Sequence, residues 1–166
     1  MRNYFIVFFT GALLAMFGIF SSAVQAAEAA IKVTSIAQIE IEVTGIKGEK
    51  SIKRTSVDKA LPGTEVIYTT QFKNVLTTAA SNIVIDNPIP KNTEYKAGSV
   101  FGENCEILFS VNGGKQYAHA EDLKSKDKDG NERTALPMEY THIRWTYKGQ
   151  LTPGKSSEVG FRATIK

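Results

Sequence analysis

From Ile31 to the end of the chain, apolar and polar residues alternate with a period of two instead of recurring every three or four positions, which is the signature of strands. The run "TSIAQIEIEVT" sets Ile39, Ile41 and Val43 on one face and Glu40 and Glu42 on the other, the pattern of a half-buried strand. "GIKGEKSIK" follows, with Gly45 and Gly48 as turn punctuation before a short polar strand. In "LPGTEVIYTTQFKN", Pro62-Gly63 suits the centre of a type II turn: proline presets one angle and glycine accepts the positive φ that follows. Val66, Tyr68, Thr70 and Phe72 then share a face.

"SNIVIDNPIP" predicts a strand of Ile83, Val84 and Ile85 that stops at the prolines, because proline lacks a ladder donor and restricts the residue before it. Pro88 and Pro90 are then expected to hold an extended, unpaired crossing between strands, with Asp86 and Asn87 bonding to nearby backbone as the chain turns. Further strands are expected at "CEILFSV", "KQYAHA", "THIRWTYKG" and "SSEVGFRATI", and a long hairpin loop over residues 121–137. No window carries a long amphipathic helix, so the fold class is all-β: an antiparallel β-sandwich.

The N-terminus has a different pattern. "MRNYFIVFFTGALLAMFGIFSSAVQAAEAA" has one charge at Arg2, an apolar run over residues 5–20, and small residues Val24 and Ala26 before a cleavable bond, the three parts of a secretory signal peptide. The alternative, an uncleaved anchor, is disfavoured because the run is shorter than the roughly 20 residues of a membrane span and is broken by Thr10 and two glycines. The expected organisation is a signal peptide over residues 1–26 and one domain over 27–166, with no membrane span after cleavage, in the periplasm or at the cell surface. Cleavage removes one positive charge from a chain of formal net charge +3, and that balance gives no footprint for nucleic acid. Cys105 is the one cysteine, so the core must hold without an intrachain disulfide even in an oxidising compartment.

The runs "LPGTEVIYTTQFKN", "ASNIVIDNPIPKNTEYKAGS", "FSVNGGKQY" and "THIRWTYKGQLTPGKSSEVGFRATI", in that order, resemble the bacterial envelope and surface domains catalogued as domain of unknown function eleven. The resemblance covers most of residues 27–166 and includes the Pro62-Gly63 turn, the strand entering Asp86-Asn87-Pro88, the Gly98-Ser99 step and the Pro153-Gly154 turn. It departs at Thr64, where aspartate often follows the proline-glycine pair, and at "NVLTTAAS", which is longer than the usual turn. It implies an immunoglobulin-like β-sandwich of about seven to nine strands, here as a single exported copy, and no catalytic residues.

Several residues are candidates for chemistry. "SVNGGKQY" has the outline of an Asp-box hairpin of the kind repeated in sialidase propellers, but no second copy is present, so a plain hairpin turned by Asn112-Gly113-Gly114 is expected. "SKDKDGNE" places Ser125, Asp127, Asp129 and Gly130 at the first, third, fifth and sixth positions of a calcium loop, but Leu136 stands where a bidentate glutamate is needed. Asp127, Asp129 and Glu132 therefore remain weak metal candidates on a solvated hairpin tip, and no other metal ligand or cofactor is indicated. His119 and His142 have no carboxylate at metal or acid–base spacing, and His142 falls out of phase with Ile143 and Trp145, facing solvent or a neighbouring strand. Trp145 reads as core, with a carbohydrate-stacking platform formed with Tyr147 as the alternative. Cys105 reads as an inert thiol at the start of a strand.

The sequence thus points to a non-catalytic exported envelope module, structural or protein-binding, whose partner is another envelope protein or a polysaccharide. A carbohydrate- or calcium-binding module is the alternative, and a glycoside hydrolase stands third because it requires two carboxylates facing across a cleft. The mature protein is expected to begin near Ala27. N-terminal sequencing of the protein recovered from cell envelopes checks this, and an intact Met1 on the membrane-bound form contradicts it.

Overall fold

The computed structural model describes residues 30–166 of the chain, so the expected signal peptide at residues 1–26 lies outside the described residues. Among the described residues eleven strands form: β1 Ile31–Thr44, β2 Lys50–Ser56, β3 Glu65–Asn74, β4 Val84–Pro88, β5 Thr93–Tyr95, β6 Phe101–Gly102, β7 Cys105–Ser110, β8 Lys124–Lys126, β9 Glu132–Thr134, β10 His142–Tyr147 and β11 Ser156–Ile165. The larger sheet runs β2-β1-β3-β11-β5 with β6 also on β11, the smaller is β4-β10-β7, and β8-β9 form a hairpin of their own. All pairings are antiparallel. The all-β sandwich expected from the alternation is therefore present, with β8 and β9 added outside its two sheets.

The alternation explains the layers. On β3 the even residues Val66, Tyr68, Thr70 and Phe72 stand opposite Ala163, Phe161, Val159 and Ser157 of β11, as the register prescribes. Both rows face the smaller sheet, where Ile85 of β4, Phe109 of β7, and Ile143 and Trp145 of β10 are buried against them. Trp145 is wholly buried (0% exposed). Its indole stacks toward Phe161 at a 6.5 Å centroid distance, and its Nε1 donates to Phe101 O at 2.9 Å. Gly102 lies so close to the ring that a Cβ there would come within 2.8 Å of Cδ1, which is why the short strand β6 needs glycine at that step.

The Pro62-Gly63 turn has the expected geometry, with Gly63 at φ 86° and Thr64 N–H donating to Leu61 O at 3.0 Å. The prolines behave differently from expectation. β4 does not stop at Asp86 but pairs with β10 through Pro88. The odd residues of β4 carry the bonds to β10, as Tyr147 N–H to Ile83 O and Ile89 N–H to Thr141 O show, so the nitrogen of Pro88 faces the free edge and no ladder bond is lost. The crossing to β5 in the other sheet begins only at Pro90, whose carbonyl accepts from Thr93 N–H at 3.0 Å and Thr93 Oγ1 at 2.8 Å. Asp86 and Asn87 also depart from expectation by bonding to side chains on other strands. Asn87 Nδ2 donates to Thr70 Oγ1 (2.8 Å), which is itself 2.9 Å from Ser35 Oγ, so one polar chain ties the two sheets together.

"KQYAHA" forms no strand and keeps only the bridge of Ala118 with Phe109. The loop over residues 121–137 is ordered instead of open: Leu123 and Ala135 are buried and bonded to each other, the β8-β9 hairpin projects beyond them, and a 3₁₀ turn at Pro137–Glu139 closes it.

Two substitutions separate core from edge. Trp145→Ala empties the centre of the sandwich and is expected to cost about 3 to 5 kcal/mol in urea unfolding. Pro88→Ala, which only frees the unfolded chain at an edge position, is expected to cost about 0.4 to 1 kcal/mol. Equal losses from the two would contradict the layer assignment.

Candidate interaction surface

β1 has two different neighbours along its length. Residues 31–38 pair with β3 on one edge, while residues 38–44 pair with β2 on the other, so β1 and β2 extend past the start of β3 as a two-stranded ribbon. Because the facing sheet has three strands, it does not reach this flank. Val33 is 51% exposed and Ile41 38%, although both stand on the same face of the large sheet as Phe72 and Tyr68. The half-buried strand expected for Ile39, Ile41 and Val43 is thus present with the right period: Ile39 and Val43 are half-buried and Ile41 is exposed.

The ribbon holds itself together through cross-strand charge pairs. Arg54 Nε donates to Glu40 Oε1 at 3.3 Å and Lys50 Nζ lies 2.7 Å from Glu42 Oε1. Its root is fixed by Arg162 of β11, which bonds Glu40 through both terminal nitrogens (2.9 and 3.0 Å) and Glu65 at 2.8 Å. The Arg162 bond, with Arg54 beside it, holds the Glu40 carboxyl down at about 2. Ile52 in mid-strand is 65% exposed and Ile46 at the tip is fully exposed.

β2 pairs with β1 alone among the described residues. Two backbone bonds fix which of its groups are free: Gly45 N–H to Glu49 O (2.7 Å) and Val57 N–H to Ala37 O (3.0 Å). The bonded pairs recur every second residue, so Ser51, Lys53 and Thr55 point their backbone groups at β1. Lys50, Ile52, Arg54 and Ser56 point theirs outward, toward an edge with no strand beside it.

The other candidate residues are spread over the molecule. Asp127 uses its carboxylate on its own turn, accepting from Asp129 N–H (2.9 Å) and Asn131 N–H (2.8 Å). Among the described residues, no three acidic, cysteine or histidine side chains gather around a metal-sized point, Asp127, Asp129 and Glu132 included. His119 has a carboxylate neighbour that sequence spacing did not reveal, Glu106 Oε1 at 3.8 Å from Nε2, brought there by folding of the loop after β7. His142 Nδ1 is 3.2 Å from Thr141 Oγ1. Trp145 is core, which removes it from any stacking platform. Cys105 does open β7, and burial raises its thiol pKa.

"SVNGGKQY" turns as a tight hairpin with Gly113 and Gly114 at positive φ, and buried Ser110 Oγ accepts from Gly114 N–H at 3.1 Å. Its Tyr117 is the aromatic that sequence reasoning did not single out. The ring lies 3.7 Å from the Arg144 guanidinium carbon, and its hydroxyl donates to Asp86 Oδ1 at 2.5 Å. Burial and that hydrogen bond push its pKa up to about 12.

At the opposite flank, clefts of about 520 and 380 Å³ meet at the exposed Met138. Glu65 and Glu94 line the larger one, but Glu65 is bonded to Lys96 and Arg162, which hold its carboxyl below the ordinary range. A glycosidase proton donor needs the opposite shift. Among the described residues no helix is long and apolar enough to cross a membrane.

The ion pairs predict an acid dependence. The Glu139 carboxyl is held at about 2 by Arg133, the Leu136 N–H and Ser125. A carboxyl depressed in the folded state stabilises fully above its unfolded value, 4.5 here, and that contribution is lost as pH falls toward about 2. Urea midpoints measured between about pH 6 and about pH 2 should therefore fall less steeply for Glu139→Gln than for the unmodified chain, and parallel curves would contradict the pairing. A scan against protein-family models found no matching model, and a search of curated proteins found no match.

Proposed function

We propose that this chain is a non-catalytic envelope module, exported by a cleaved signal peptide, that binds a partner protein through the β1-β2 ribbon. The observation that carries the reading is the ribbon itself: a strand edge with unpaired backbone groups, flanked by exposed Ile46 and Ile52, standing clear of the sandwich that supports it. Natural sheets protect such edges, because an unpaired ladder recruits another strand. The N-terminal pattern of residues 1–26 supports export, and the resemblance to bacterial envelope and surface domains, read here as a single exported copy, supports a module that works through its surface. The depressed Glu65 carboxyl speaks against Glu65 as an acid catalyst in the larger cleft.

Photo-crosslinking in intact cells tests this. Benzoylphenylalanine placed at Ile46 or Ile52 should give a discrete protein adduct, while the same group at Lys128, on the tip of the β8-β9 hairpin, should give none. Adducts at Lys128 alone would move the interface to the opposite flank, and glycan turnover by the purified chain would replace the reading with an enzyme.

A further inference from the structure

The reading above leaves the partner's chemistry open, and the free edge of β2 narrows it. Of the strands that border the two sheets, each other one is short, bridged or lacking a donor. β4 presents the nitrogen of Pro88 outward and so lacks a donor there. β7 is bridged on its far side by Ala118, with Phe109 N–H to Ala118 O at 2.9 Å and Ala118 N–H to Phe109 O at 3.1 Å. β5 and β6 are three and two residues long. β2 has seven residues in unbroken register, no proline and no bulge.

Its charge selects the occupant. Lys50–Ser56 holds Lys50, Lys53 and Arg54 and no acid. Lys50, Ile52 and Arg54 share one face, and these three also turn their backbone groups to the free edge. Their side chains stay exposed despite the pairs with Glu42 and Glu40, and exposed pairs of this kind are weak, so both cations can accept a second carboxylate. A second copy is a poor occupant. Antiparallel pairing of two β2 edges about Ile52 sets Lys50 against Arg54 twice, and pairing about Lys53 sets that lysine against itself, both like-charge oppositions.

We infer that β2 is the docking edge for an extended segment of a different protein, added as a further strand, whose residues facing Lys50, Ile52 and Arg54 follow the pattern acid, any, apolar, any, acid. Main-chain bonds to the four outward residues supply affinity, and the two carboxylates with the apolar residue between them supply selectivity. This rests on the interaction-module reading and commits it to one edge and one chemistry.

The probe is the blocked peptide TETVTET, symmetric so that strand direction is not presupposed, titrated into the purified chain by calorimetry at low salt. Three results are expected. TETPTET, with the same charge but no central donor, binds at least tenfold more weakly; TKTVTKT does not bind; and amide exchange at Ile52 and Arg54 slows when TETVTET is bound. Ile52→Asp, an exposed change that leaves both ion pairs in place, should weaken TETVTET by a similar factor. Lys50→Glu with Arg54→Glu should exchange the preference to TKTVTKT, provided its melting curve shows that it folds.

Equal binding of TETVTET and TETPTET, or equal occupancy of the site by polygalacturonate, would mean that charge alone is recognised and would overturn strand addition. Failure of TETVTET to bind while Ile46 and Ile52 still crosslink a protein would overturn this inference and leave the module reading standing. Loss of both would remove both.

Discussion

The indole of Trp145 is the point about which the two sheets are assembled. It sits at the middle of β10, the central strand of the narrow sheet, and reaches across to Phe101 O and Phe161 of the wide one. Fixing the narrow sheet there places β4, β10 and β7 over β3, β11 and the β5–β6 side, and three strands extend no further. β2, with Val33 and Ile41 of β1, is left uncovered as a consequence of width. β1 keeps the alternation of a core strand because it belongs to the same sheet.

The opposite flank receives the reverse treatment. Tyr95, Phe109, Tyr140 and Phe161 form a packed aromatic group, with Phe109 and Tyr140 centroids 4.6 Å apart and Tyr95 within 6.2 Å of Phe161. The chain after β7 folds over this group through Leu123, Ala135 and the 3₁₀ turn, so the sandwich is sealed on one side by its own insertion. With Cys105 free, no disulfide constrains the unfolded chain, and burial of aromatic and branched side chains carries the stability. The polar chain Ser35–Thr70–Asn87 adds direction to that burial, because it is satisfied in a single sheet-to-sheet alignment.

Much of this was legible in the residues. The period of two placed β3, β10 and β11 and their inward rows, Pro62-Gly63 gave the turn it favours, and Trp145 read as core. What alternation cannot report is which face has a partner. Ile41 carries the same signal as Val66 and Phe72, and only the width of the opposing sheet separates them. Pro88 was misplaced for a related reason: a proline ends a strand when its nitrogen faces a neighbour and is tolerated when it faces an edge, and that depends on register. The pairing of Arg162 with Glu40 and the stacking of Tyr117 on Arg144 join residues far apart in the chain, and no local pattern announces either.

The central claim is that the wide sheet ends in an open, strand-competent edge at β2. Residue-resolved amide exchange on the free protein tests it most directly. The account predicts an alternation, with Ser51, Lys53 and Thr55 slow because their amides bond to β1, and Lys50, Ile52 and Arg54 fast because theirs face solvent. Uniform protection of residues 50–56 would mean that the edge is already covered, and would contradict it.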